Sequence, residues 1–89
     1  MKVPEDGLME PNTRDLLIYP NPTRGLLSIR TYDDEIYDVM VTSMNGQIVF
    51  SNRIGGDLLQ LDLSSFQPGV YFISIRTLDF VTTRKIVKL

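Results

Sequence analysis

The sequence predicts an all-β fold, an immunoglobulin-like antiparallel β-sandwich of about seven strands. Short segments in which apolar and polar residues alternate recur along the 89-residue chain. Glycine, proline and asparagine residues that favour turns separate these segments. No helical period extends beyond about one turn. Many short strands with regularly spaced turn signals are typical of such sandwiches.

The strongest strand signal lies at residues 69–77, which are rich in β-branched and aromatic side chains. By the two-residue period of a strand, Tyr71, Ile73 and Ile75 share one face. That face is wholly apolar, whereas the opposite face becomes polar towards its end. This pattern predicts a central strand packed on the core.

We predict one domain at residues 16–89, preceded by a linker or tail at residues 1–15. Pro4, Gly7 and Pro11 interrupt the tail, and its charges have no period. The other strands of the domain are predicted at 16–19, 26–31, 36–43, 47–50, 58–63 and 81–88. In the second of these, Leu27 and Ile29 alternate with polar neighbours and are expected to point inward.

Turn residues separate the strands. Pro20 and Pro22 fix φ and remove backbone donors, so the first strand should end abruptly at a corner. Asn45 and Gly46 both tolerate positive φ, which indicates a type I′ hairpin. A polar loop is expected at 51–56.

A crossing loop is expected at 64–69, and it contains a single aromatic side chain before the central strand. Phe66 is expected to tuck under the sandwich as a plug, because an apolar side chain in a short loop gains from burial.

Composition excludes several functions. The chain has no histidine and no cysteine, which removes disulfides, thiolate zinc sites and Ser-His or Cys-His nucleophile pairs. A net charge of −2 gives no general attraction to nucleic acid. No apolar run approaches the roughly 18 residues of a membrane span, so no membrane insertion is expected. We predict no enzyme activity and no cofactor.

An acidic segment at residues 33–35, with Asp38 close by, carries oxygen ligands of the kind that calcium prefers. Its spacing matches no EF-hand loop. The pattern therefore favours a solvated acidic loop, and we predict no metal site.

Five motifs in a fixed order carry a resemblance to a known family. They are Tyr19-Pro20-Asn21-Pro22-Thr23 with Gly25, Asn45-Gly46-Gln47-Ile48-Val49, Leu61-Asp62-Leu63-Ser64, Pro68-Gly69-Val70-Tyr71-Phe72 and Lys85-Ile86-Val87-Lys88. Together they resemble the type A C-terminal sorting domain of the type IX (Por) secretion system of Bacteroidetes. The resemblance covers residues 16–89.

The resemblance implies a function in export. In that family the domain is an immunoglobulin-like sandwich that directs an upstream cargo through the periplasm and across the outer membrane. The implied partners are the outer-membrane translocon and a surface sortase, which removes the domain by cutting in the linker, here residues 1–15. The cargo, a domain outside this sequence, is then attached to anionic lipopolysaccharide at the cell surface or released.

The sorting-motif candidates also have structural interpretations. The candidates are Pro20, Asn21, Pro22, Gly25, Gly46, Gly69, Tyr71, Lys85 and Lys88. The prolines and glycines satisfy backbone geometry, and Tyr71 suits a core position with its hydroxyl at the rim. The two lysines either protect an exposed edge strand or present a cationic strand to a receptor, which would capture it by sheet augmentation.

Two other functional classes are compatible with the sequence. A carbohydrate- or protein-binding module would use exposed aromatic residues, for which Tyr32, Tyr37 and Phe80 are the candidates. A structural spacer would self-associate through the strand edges at 47–50 or 81–88.

Overall fold

The structure, a computed structural model, describes residues 16–31, 36–78 and 80–89. These residues form seven strands. The strands are β1 (Leu17–Tyr19), β2 (Leu26–Arg30), β3 (Ile36–Ser43), β4 (Ile48–Gly55), β5 (Leu58–Asp62), β6 (Gly69–Arg76) and β7 (Val81–Lys88). None of the described residues lies in a helix long and apolar enough to cross a membrane.

Two antiparallel sheets make up the domain. One has three strands in the order β1-β2-β5, and the other has four strands in the order β4-β3-β6-β7. These orders correspond to strands A-B-E and C′-C-F-G of immunoglobulin-type sandwiches. The all-β sandwich predicted from the sequence is confirmed.

The core lies between the two sheets and is built by strand alternation. Leu27 and Ile29 of β2 are fully buried, as predicted. The three-stranded side also contributes Leu16, Leu59, Leu61 and Leu63, and the four-stranded side contributes Tyr37, Val39, Val41, Tyr71, Ile73, Ile75 and Ile86. Strands β2, β3, β5 and β6 therefore each present one apolar face inward, which is the pattern that specifies their register.

Strand β6 occupies the central position that its sequence predicts. It pairs with β3 on one side and with β7 on the other. Ile73 and Ile75 are fully buried, and Tyr71 is 7% exposed. The strand ends at Arg76, one residue before the predicted end.

The polar loop predicted at residues 51–56 is wrong, because β4 continues as a strand to Gly55. The register runs from Met40 opposite Ser51 to Ile36 opposite Gly55. Strand β4 is an edge strand, and its side chains at 51–53 are exposed. Its backbone hydrogen bonds to β3 need no apolar side chains, so the hydrophobic pattern gave no signal for this half of the strand.

The connections fall at two ends of the sandwich. The β1–β2 corner, the β3–β4 hairpin, the β5–β6 loop and the end of β7 lie at one end, which we call the distal pole. The register places them there, since Leu26 faces Asp62, Ser43 faces Tyr71, and Gly69 faces Lys88.

The opposite end, which we call the proximal pole, is where the described chain enters at Leu16. The end of β2, the start of β3 and the β4–β5 connection lie there, as do the end of β6 and the start of β7. Thr31, buried at this pole, donates its backbone N–H to Asp57 O at 2.9 Å and its hydroxyl to Gly56 O at 3.1 Å, which ties β2 to the β4–β5 connection. The linker at 1–15 and the acidic segment at 33–35 lie outside the described residues.

Candidate functional site

All of the sorting-motif candidates lie at the distal pole. Pro20, Asn21, Pro22 and Gly25 are in the β1–β2 corner, Gly46 is in the β3–β4 hairpin, Gly69 and Tyr71 begin β6, and Lys85 and Lys88 are near the end of β7. Segments that are up to 68 positions apart in the sequence are thus gathered at one end of the molecule. Direct hydrogen bonds connect several of them.

Asn21 joins the corner to the terminal strand. Its Nδ2 donates a hydrogen bond to Lys85 O at 2.9 Å, and its Oδ1 accepts one from Val87 N at 3.0 Å. The carboxamide offers one donor and one acceptor, the same pair that a backbone residue offers. Asn21 therefore pairs with the outer edge of β7 as a neighbouring strand would.

Thr23 continues this pairing through its backbone. Its N–H donates to Val87 O at 2.9 Å, and its carbonyl accepts from Leu89 N at 2.9 Å, which forms a parallel bridge opposite Lys88. Its buried hydroxyl accepts from Gly25 N at 3.0 Å and donates to Leu26 O at 2.5 Å. We call Asn21 and Thr23 the clamp, because they fasten the corner to the end of β7.

Thr23 belongs to the first motif but is not among the sorting-motif candidates. A threonine hydroxyl close to a glycine in a proline-bearing corner is a known turn-stabilising pattern, and it is the signal that would have identified Thr23.

Gly25 allows the corner to contact the β5–β6 loop closely. Leu63 N donates to Gly25 O at 2.8 Å. A Cβ atom at position 25 would lie 3.0 Å from Ser64 Cβ and 3.3 Å from Ser64 Cα. The motif glycine thus serves close backbone approach.

Asp62 organises the beginning of the same loop. Its Oδ1 accepts hydrogen bonds from Ser64 Oγ at 2.6 Å and from Ser64 N at 3.0 Å. These two bonds, the side-chain bond foremost, hold the pKa of the Asp62 carboxyl below its usual range. The second, third and fourth residues of the Leu61–Ser64 motif therefore form a local turn that presents Ser64 to Gly25.

Tyr71 anchors the other end of the β5–β6 loop. Its hydroxyl donates to Gln67 O at 2.6 Å, while its ring packs in the core. A tyrosine near the start of strand F that bonds back to a nearby upstream carbonyl is the tyrosine corner of immunoglobulin-type sandwiches. The Phe66 and Tyr71 rings lie 5.7 Å apart between centroids, so Phe66 does tuck beneath the loop.

The two glycines of the hairpin and of the β6 start have positive φ, 85° for Gly46 and 153° for Gly69. Residues with a Cβ atom rarely adopt these conformations, which accounts for glycine at both positions.

The structure separates the two motif lysines. Lys88 is only 7% exposed, and its Nζ donates to Phe66 O at 3.1 Å and to Leu89 O at 3.2 Å. Lys85 is exposed, and its backbone carbonyl, not its ammonium group, meets the clamp. Lys88 thus holds the β5–β6 loop against β7, whereas Lys85 leaves its charge in solvent.

The other candidate features give no comparable site. Tyr37 is fully buried and packs edge to face on Phe80, with ring centroids 6.4 Å apart, so this pair forms no exposed aromatic platform. Tyr32 and residues 33–35 lie outside the described part of the chain. Within that part, no three histidine, cysteine or carboxylate side chains are grouped so as to hold a metal ion.

The fold and the distal pole define an immunoglobulin-type β-sandwich whose turn motifs are gathered and interlocked at one end. The family model for the secretion system C-terminal sorting domain matches residues 17–89. The chain therefore belongs to this family, whose members are C-terminal sorting signals for type IX secretion. Such a signal is a non-catalytic kind of domain, and it implies export to the cell surface or secretion. A search of curated proteins found no significant match.

Proposed function

We propose that this domain is a sorting signal and that the outer-membrane translocon of the type IX system recognises it by binding the distal pole. In this proposal the domain carries an upstream cargo through the periplasm and across the outer membrane. A surface sortase then cuts within residues 1–15, and the cargo is attached to anionic lipopolysaccharide or released.

One observation carries the proposal: the motif segments meet at one pole, and the chain enters at the other. Leu17, the first residue of β1, pairs with Arg30 at the proximal pole, and Leu16 directly precedes it. A cargo attached there leaves the distal pole accessible to a receptor. A cut in the preceding linker would then separate the cargo from the sorting signal without touching the folded sandwich.

A fusion tests the export step. A reporter with an ordinary Sec signal is joined to residues 1–89 and expressed in a type IX-competent bacterium, and its surface display is compared with that of the reporter lacking these residues. Display that needs both the domain and a functional type IX system supports the proposal. A reporter that remains in the periplasm with the domain attached refutes it.

Mass spectrometry of the same fusion tests the cleavage step. The mature reporter is expected to end within residues 1–15, and the released fragment should contain residues 16–89 intact. Replacing residues 1–15 by a glycine-serine linker of equal length is the matched control. A cut within the sandwich, or display with the whole domain retained, contradicts sortase removal.

A further inference from the structure

We infer that the outer edge of β7 from Val81 to Lys85 is a docking edge for an extended, acidic segment of the protein that reads the signal. This inference rests on the proposed function and names the chemistry of the partner. The partner strand would add to the four-stranded sheet by backbone hydrogen bonds, as in other cases of β-augmentation.

Strand alternation identifies the backbone groups that face outward. The clamp bonds to Lys85 O and to both backbone groups of Val87, so the odd-numbered residues of β7 direct their N–H and C=O groups away from β6. Strand β7 is an edge strand of its sheet, paired with a neighbouring strand on one side only. Among the described residues, nothing pairs with the outward groups of Val81 and Thr83 or with Lys85 N.

The clamp divides this edge into two halves. Beyond residue 85 the edge is occupied by Asn21 and Thr23. The open half spans about 13 Å at the rise of a β-strand, enough for a partner segment of about four or five residues. Its Lys85 end meets the clamp near the distal pole, and its Val81 end lies at the proximal pole. A receptor strand on this edge would therefore extend from the motif turns towards the proximal pole.

Charge selects the kind of segment that fits. Strand β7 carries Arg84, Lys85 and Lys88 and no carboxylate, although the whole chain has a net charge of −2. Lys88 is buried, but Arg84 and Lys85 are exposed beside the open edge. Acidic side chains on a partner strand would lie opposite these two cations.

The other edge of the same sheet differs in a useful way. On β4, the N–H of Arg53 is already bonded to Asn52 Oδ1 at 2.8 Å, and the Arg53 guanidinium is paired with Asp38 at 2.9 Å. Ser51, which faces Met40 in the register, has its backbone groups directed away from β3 by the same alternation. Ser51 is therefore a matched control position on the opposite edge strand of the same sheet.

Proline substitution tests the docking edge, because proline removes a backbone donor and is tolerated on edge strands when that N–H faces solvent. In the reporter fusion, Thr83→Pro is expected to reduce surface display about tenfold, the effect of losing one or two net hydrogen bonds. Thr83→Ala, which keeps the N–H, and Ser51→Pro should both display as the unmodified fusion does. Circular dichroism of the purified variants checks that each retains the sandwich.

Each outcome is decisive. Normal display of Thr83→Pro overturns the inference, and so does an equal loss in Thr83→Ala or Ser51→Pro. If Thr83→Pro does not fold, Val81→Pro at the first position of the strand replaces it with the same expectation. Reversing both exposed charges, Arg84→Glu with Lys85→Glu, should also lower display; unchanged display overturns the acidic partner. Failure of the unmodified fusion would refute the proposed function instead.

Discussion

Replacing Lys88 by methionine should destabilise the domain, whereas the same change at Lys85 should not. Methionine keeps the apolar stem of lysine and removes only the ammonium group. At position 88 that group is buried and donates to Phe66 O and Leu89 O, at 3.1 and 3.2 Å. At position 85 it is exposed.

The expected loss follows from these contacts. A hydrogen bond from a charged donor contributes about 1.5–3 kcal/mol to stability. Removing the ammonium group also removes the free-energy cost of burying a charge, which offsets part of this loss. We therefore expect Lys88→Met to lower the free energy of unfolding by about 1–2 kcal/mol. In a domain of this size that corresponds to a fall in Tm of about 5–15 °C. Lys85→Met should stay within about 0.5 kcal/mol of the unmodified domain.

Urea unfolding followed by circular dichroism measures both variants against the unmodified domain. The midpoint of Lys88→Met should move to lower urea with an unchanged slope, which indicates lost stability without a change in compactness. If Lys88→Met and Lys85→Met have the same midpoint, the buried role assigned to Lys88 is refuted.

Three further predictions concern the distal pole. Gly25→Ala should lower the free energy of unfolding by about 1–3 kcal/mol, because the added Cβ would crowd Ser64. Gly55→Ala should not destabilise the domain. Equal urea midpoints for the two variants would contradict the close contact between Gly25 and Ser64. Thr23→Val should lower the free energy of unfolding by about 1–3 kcal/mol, because the two hydrogen bonds of the Thr23 hydroxyl are lost. Thr23→Ser keeps the hydroxyl and should lower it less; a larger loss in Thr23→Ser would contradict this role. The pKa of Asp62 lies below its ordinary 3.8, so its stabilisation is complete above that value and is lost as pH falls through the folded pKa. Asp62→Asn should remove this part of the pH dependence. If the free energy of unfolding falls with decreasing pH equally in Asp62→Asn and in the unmodified domain, the role of the Ser64 contacts is contradicted.

The sequence predicted the sandwich well because its strands face a single core. Alternating apolar residues such as Leu27 and Ile29 identify both the strand and its inward face, and a one-residue shift would expose them. The strand conformation of residues 51–55 in β4 could not be predicted in this way, because an edge strand with exposed polar side chains has no apolar alternation.

The distal pole was predictable only in part. Its glycines and prolines are recognisable from turn chemistry, and Tyr71 from its position at the start of a strand. Sequence spacing does not reveal that Asn21 would bond to Lys85 of β7, which lies 64 positions away in the sequence. Nor does it separate Lys85 from Lys88, whose side chains differ through the tertiary contacts of the β5–β6 loop.

Photocrosslinking at the two poles tests most directly whether the distal pole is the end that is read. A photoreactive amino acid is placed at Met44 in the distal hairpin or at Leu58 at the proximal start of β5, both exposed, in the exported reporter fusion. Antibodies against type IX outer-membrane components should detect adducts from position 44 and not from position 58. Adducts from position 58 alone would contradict recognition at the distal pole.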